Sequence, residues 1–224
     1  MGLVRGFLFA AITACAFVVP FTVSALDGKI LYTEGTVTVT TGGSSQDAGP
    51  GTTVSAGDVV STGADGLAVV DLSNATQIKL RENTSVTIGA LGDNTQVSLS
   101  AGALFTRILG KLAGTFSVQA GMTTAGVRGT EFFVAFGRTV DQEPDVWLCV
   151  NSGTVDVSVA SSGQHVLVPA GKGINIIGGA KLTPPRGYRW TKGLNWNMDP
   201  SSGSVEDHTS MNQAYDDLLN HDYN

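Results

Sequence analysis

Short runs of alternating apolar and polar residues, each stopped by glycine, recur from Lys29 to Ile177, and they limit what this chain can fold into. A side-chain period of two belongs to strands with one buried face, and glycine supplies the left-handed backbone that closes tight turns between them. The 29 glycines exceed the usual share, while charged residues make up only 14% of the sequence. Ile30, Tyr32, Val37 and Val39 form the first alternation. Gly42-Gly43-Ser44-Ser45 then reads as the end of a packed ladder and the start of a loop through Pro50-Gly51. Turns are predicted at Ala56-Gly57-Asp58, Gly63 to Gly66 and Arg81-Glu82-Asn83. Strands are predicted at Leu67 to Leu72, Gln77 to Leu80, Ser85 to Ile88, Gln96 to Leu99, Ala103 to Leu109 and Gly114 to Gln119, then at Glu131 to Phe136, Asp145 to Val150, Thr154 to Val159, His165 to Val168 and Ile174 to Ile177. No helical stretch of ten or more residues is read between them, which argues against alternating helix–strand units. The expected fold is mainly β: many short strands in a sandwich or roll, or an irregular β-solenoid-like body, with a short C-terminal helix or tail.

A weak internal similarity fits this reading. Gly35-Thr36-Val37-Thr38-Val39 resembles Gly153-Thr154-Val155-Asp156-Val157, and Ala-Gly pairs occur at Ala56-Gly57, Ala101-Gly102 and Ala170-Gly171. Their unequal spacing excludes a regular solenoid code and suits recurring hairpins with tight corners.

The ends of the chain differ from its middle. Arg5 precedes an apolar stretch from Phe7 to Phe21, and Val23-Ser24-Ala25 supplies small or apolar residues for cleavage, so residues 1–25 read as an export signal. Thr13 and Pro20 interrupt the stretch, and no membrane span is expected after cleavage; acylation at Cys15 is the lesser alternative. Removal of that segment leaves Cys149 as the only cysteine, so no internal disulfide is available, and its run Val146-Trp147-Leu148-Cys149-Val150 reads as a core strand. The formal charge of −6 resides in the segment from Asp199 to Asn224, which holds six acidic residues and no lysine or arginine; the remainder sums to zero. A body without clustered positive charge offers no footprint for nucleic acid.

Thr124 to Val134, TAGVRGTEFFV, is the most distinctive block. Gly126 and Gly129 permit a turn or a close backbone approach, and Arg128 is placed to bond Glu131 or Asp58, so Asp58, Gly126, Arg128, Gly129 and Glu131 form a predicted structural corner. With Ala56-Gly57-Asp58-Val59-Val60-Ser61-Thr62-Gly63, Asp65-Gly66, Ile78-Lys79-Leu80, Asn83-Thr84, the run Leu99 to Leu104, Phe116-Ser117-Val118, Asn151-Ser152-Gly153-Thr154-Val155 and Val168-Pro169-Ala170-Gly171, the block resembles the FecR-type periplasmic domain family over roughly residues 28–177. The resemblance implies an exported β domain. Its best-known members carry a short cytoplasmic region and a membrane helix, and relay an outer-membrane receptor signal to a sigma factor. Here six residues precede the apolar run, and a stand-alone exported member, periplasmic, secreted or at the cell surface, is expected.

Catalytic readings find little to stand on. His165, His208 and His221 show neither HExxH nor compact zinc spacing, and no GxSxG supplies a nucleophile. Glu34 and Glu131 would serve as a hydrolytic pair only if folded to within about 5–9.5 Å of each other. No enzyme activity, cofactor or metal is expected; a carbohydrate-active or other envelope hydrolase is the alternative. The segment 184–224 follows a β domain of 26–183 and carries the partner-binding candidates Tyr188, Arg189, Trp190, Trp196 and Tyr215. Rings interleaved with arginines suit an envelope protein or a glycan, although the same rings equally serve to strap the tail across the body. Met211, Tyr215, Leu218 and Leu219 would form one stripe of a short helix capped by Thr209 or Ser210.

Overall fold

The computed structural model describes residue 2 and residues 26–212, apart from 74, 128, 141 and 142. The expected signal segment, Arg128, Tyr215 and most of the expected C-terminal helix lie outside the described residues. That helix enters them only at Met211 and Asn212.

Eighteen strands follow in chain order among the described residues: β1 (Gly28–Glu34), β2 (Val37–Thr41), β3 (Ser44–Asp47), β4 (Thr53–Val54), β5 (Val59–Thr62), β6 (Leu67–Asp71), β7 (Thr76–Leu80), β8 (Ser85–Ala90), β9 (Asn94–Ala101), β10 (Ala103–Ile108), β11 (Thr115–Ala120), β12 (Thr123–Val127), β13 (Glu131–Val140), β14 (Glu143–Ser152), β15 (Thr154–Val159), β16 (His165–Pro169), β17 (Gly173–Ile177) and β18 (Lys181–Leu182). They form two open nine-stranded sheets. Sheet I runs β18-β17-β14-β13-β10-β7-β6-β1-β4, and sheet II runs β16-β15-β12-β11-β9-β8-β5-β2-β3. Neighbours are antiparallel except β9 and β11, which pair in parallel with Val97 opposite Val118.

The sequence pattern explains the layering. In β15, Thr154 to Val159 alternates exposed and buried residues, so sheet II presents valines inward and polar residues to solvent. Sheet I carries near-continuous apolar runs instead, and successive side chains divide between two faces. Ala68, Val70, Leu104, Phe132, Val134 and Leu148 meet sheet II in the main core. Val69, Phe105, Phe133, Trp147 and Cys149 point the other way and pack beneath Tyr188, Trp190, Leu194, Met198 and Val205. The C-terminal segment therefore makes a third layer.

Turn chemistry follows the expected glycines. Gly57, Gly102 and Gly171, each preceded by alanine, adopt φ of +95°, +79° and +76°. Two expectations need correction. Ser44–Asp47 is not a loop but the edge strand β3, paired with β2 across the Gly42-Gly43 turn; all four residues are exposed, so no apolar pattern marks it. Gly126 is not a turn: it lies inside β12 between Ser117 and Asp156, and the turn falls at Gly129, with φ of +63°. The block Thr124 to Val134 is the crossing from sheet II to sheet I.

Candidate partner-binding face

The third layer is held at one end by rings. Trp190 lies 6.1 Å from Phe133 and 6.2 Å from Trp147 between ring centroids, and Tyr188 stacks on Trp190 at 6.3 Å. Trp196 meets Phe105 edge-on at 5.2 Å. Such pairs add about 0.5–1.5 kcal/mol each beyond area burial. Gly137 makes room for this packing, since a Cβ there would come within 2.7 Å of the Trp147 indole.

Cations hold the other end. Lys79 sits opposite Val69 and Phe105 in one cross-strand row of sheet I, is fully buried, and lies 4.2 Å from the Phe105 ring centroid. Its Nζ donates to the carbonyls of Asn195 at 2.6 Å, Asn197 at 2.9 Å and Val205 at 2.9 Å. Burial pushes its pKa down to about 8; Asp207 opposes that shift, and Arg107 and Arg81 reinforce it. Arg81 donates to the Thr209 carbonyl at 3.1 Å and forms a buried ion pair with Asp207 at 3.4 Å. Arg107 donates to the Trp196 carbonyl and pairs with Glu131 at 2.7 Å. Three basic side chains of β7, the following turn and β10 thus grip the strap through its main-chain oxygens.

The predicted site residues separate into two groups. Glu131 opens β13 and bonds Arg107 and Asn151. Asp58 accepts from Thr41 Oγ1 at 2.7 Å and the Ser55 amide at 2.8 Å, with three strands of sheet II between β5 and β12. Asp58 therefore caps a different turn from the Gly129 corner. Tyr188 and Trp190 are buried and Trp196 is half-buried, all within the strap, whereas Arg189 is exposed. Sequence reasoning placed Lys79 in the family-like run Ile78-Lys79-Leu80, Arg81 in a polar turn and Asp207 beside His208, but read none of them, nor Arg107, as an anchor of the strap; the signal available was a lone lysine inside the apolar strand Gln77 to Leu80.

A groove of about 770 Å³ opens where the strap leaves sheet I, with Lys172, Arg189 and Lys192 on its walls beside Tyr188, Trp196 and Asn151. The carboxylate pair considered for hydrolysis is not brought together. Glu34 on β1 and Glu131 on β13 have three strands between them, which places them about 19 Å apart at the usual strand spacing. Burial pushes the Cys149 thiol far up, away from a reactive thiolate. Among the described residues, no three His, Cys, Asp or Glu side chains gather as a metal site, and no helix is long and apolar enough to cross a membrane.

The family model described as FecR protein matches residues 58–156, from the Asp58 turn to β15. No curated protein matches the chain. Two crystal structures of a putative anti-sigma factor from Parabacteroides distasonis ATCC 8503 are similar at 15% identity and a TM-score of 0.50. Each alignment covers 60% of this chain and 62% or 63% of the other, so the chain spans less than two thirds of those relatives, and the likeness is one of fold. A FecR-like domain agrees with the periplasmic or secreted location expected from the N-terminus. Residues 58–156 of this chain are thus similar to FecR protein, and they lie within a β body that the C-terminal strap covers on one face.

Proposed function

We propose that the protein is a non-catalytic, exported FecR-like module of the bacterial envelope that binds a protein partner in a signalling or scaffolding assembly. The observation that carries this reading is the FecR match over residues 58–156 on a body whose polar groups serve packing and strap retention. In the same reading, residues 1–25 direct export, 26–183 form the β domain, and 184–224 supply both the strap and the contact region around Tyr188, Arg189, Trp190, Trp196 and Tyr215. Because Tyr188 and Trp190 are buried, they shape that region from within, and Arg189 is on its surface.

Two measurements test this. N-terminal sequencing of the mature protein from the periplasm should begin at Leu26, and a photo-crosslinker at Lys192 should capture an envelope protein in cells. Release of muropeptides or sugars by the purified protein, together with an absent crosslink, would overturn the proposal. The Gly126, Arg128, Gly129 and Glu131 corner is proposed as structural. Arg128→Ala should lower the urea midpoint by an amount equivalent to about 3–5 kcal/mol if its charge pair is buried; an unchanged midpoint would remove that role.

A further inference from the structure

The two sheets end differently. Sheet I finishes in strands of two residues, β4 and β18, and Pro184 and Pro185 follow β18. Short strands and prolines discourage a further strand from adding to an edge. Sheet II has longer margins, β3 with four residues and β16 with five. Neither carries a lysine, an arginine or a bulge, and the only proline stands last in β16. The phase of each ladder fixes which groups point away from the sheet. The Ala48 amide donates to the Val37 carbonyl at 2.9 Å, so Ser44 and Gln46 face β2, and Ser45 and Asp47 turn their main-chain amides and carbonyls outward. The Val159 amide donates to the Gln164 carbonyl at 2.9 Å and the Ala170 amide to the Gly153 carbonyl at 3.0 Å. Val166 and Val168 therefore face β15, and His165 and Leu167 turn outward. Among the described residues, no strand covers either margin.

These two margins fit each other. Every neighbour pair in sheet II is antiparallel except β9 and β11, so an odd number of reversals separates β3 from β16, and the two run in opposite directions. A second copy displaced along the sheet without rotation therefore sets its β16 antiparallel to β3 of the first. Placing Asp47 opposite His165 and Ser45 opposite Leu167 lets both pairs exchange main-chain hydrogen bonds. It also keeps the faces in step, since Asp47 and Ser45 stand beside Thr38 and Thr40, and His165 and Leu167 beside Ser158 and Asp156, all on the face turned from the main core. Side-chain chemistry favours this pairing over a symmetric one. The Asp47 carboxylate meets an imidazole whose Nδ1 lies 3.7 Å from Asp156 and whose Nε2 has no partner among the described residues. Two β3 edges would bring only carboxylates together, and two β16 edges only imidazoles. Leu167, 58% exposed, gains cover from the incoming strand. We propose that copies of this chain join head to tail, β3 of one adding to the β16 edge of the next, so that sheet II continues from copy to copy.

The inference goes beyond the partner-binding reading above and is tested apart from it. The mature full-length protein is followed by sedimentation velocity over about 5–500 μM, a span suited to a small contact. Its sedimentation coefficient should rise with concentration without levelling at a dimer, because a head-to-tail contact leaves a free edge at each end. Ser45→Pro and Leu167→Pro each remove an outward amide and leave the inner ladders intact. Each variant alone should lose at least about tenfold in association, whereas an equimolar mixture, in which a free β16 meets a free β3, should form a dimer that grows no further. Asp47→Lys should weaken association at least about threefold and leave the urea midpoint unchanged, because the side chain is exposed. Should a proline lower the urea midpoint, Asp47→Lys decides. A wild type that stays monomeric, association that survives either proline variant alone, a mixture of well-folded proline variants that stays monomeric, or Asp47→Lys associating like wild type would each overturn the proposal. A monomeric wild type that still crosslinks an envelope protein from Lys192 would discard the edge pairing and keep the partner.

Discussion

A buried ammonium group needs an acceptor for each of its three protons, and Lys79 finds them in the carbonyls of Asn195, Asn197 and Val205. Charge-assisted bonds of this kind contribute about 1.5–3 kcal/mol each, against a burial cost that the depressed pKa expresses. Lys79→Met should therefore lower stability by about 2–4 kcal/mol at pH 7, read as a urea midpoint, with faster proteolysis between residues 195 and 209. The sign of the pH effect follows from the direction of the shift. The folded-state value of about 8 lies below the unfolded value of 10.5, so the folded protein releases this proton first. Between those values the unfolded chain binds more protons, and stability rises with pH by up to about 3 kcal/mol. Below pH 8 that gain is absent. The difference in unfolding free energy between wild type and Lys79→Met should accordingly grow from pH 8 to pH 10.5; a flat difference would show that Lys79 titrates as an ordinary lysine.

The strap is the element whose removal tests the layering. Without residues 184–224, Phe105, Phe133 and Trp147 lose their cover, and an apolar face opens on sheet I. The truncated protein is expected to bind a hydrophobic dye and to self-associate in sedimentation; a monomeric, dye-silent product would contradict the three-layer arrangement. Much of this was legible in the residues themselves. Thr154 to Val159 alternates and lies with one face in solvent, and Val146 to Val150 is apolar throughout and lies covered on both sides. Ser44–Asp47 was not legible, because an edge strand with no buried side chain has no periodicity to read. Gly126 misled for a related reason: in β12 the inward positions are Thr123, Ala125 and Val127, so a glycine on the solvent side looks like a break. The strap's grip escaped because Lys79, Arg81 and Arg107 hold main-chain oxygens, which every residue type provides.

Across the whole molecule, both sheets are laid down almost in chain order, from β4 and β3 at one edge to β18 and β16 at the other. Past β18, Pro184 and Pro185 run along β17 up to the bridge between Gly173 and Arg186, removing amide donors from an edge that would otherwise invite another strand. The strap alone breaks the order by returning from that edge to β7, over sequence separations of 116 to 130 residues. Beyond its aromatic packing, its hydrogen bonds from Lys79, Arg81 and Arg107 run from side chain to carbonyl, while β10 and β13 share a five-residue ladder. In native-state hydrogen exchange, amides of residues 195–209 should therefore open at lower free energy than those of β10 and β13, and should open more readily still in Lys79→Met. Equal protection of both regions would mean that strap and sheets unfold as one unit. Export adds a direction to this arrangement, because a chain that crosses the membrane N-terminus first lets each new hairpin meet an edge already in place. The aromatic face then stays bare until the strap as far as Val205 is in place, so a chain cut ahead of it displays uncovered tryptophan and phenylalanine to the chaperones and proteases that survey new proteins.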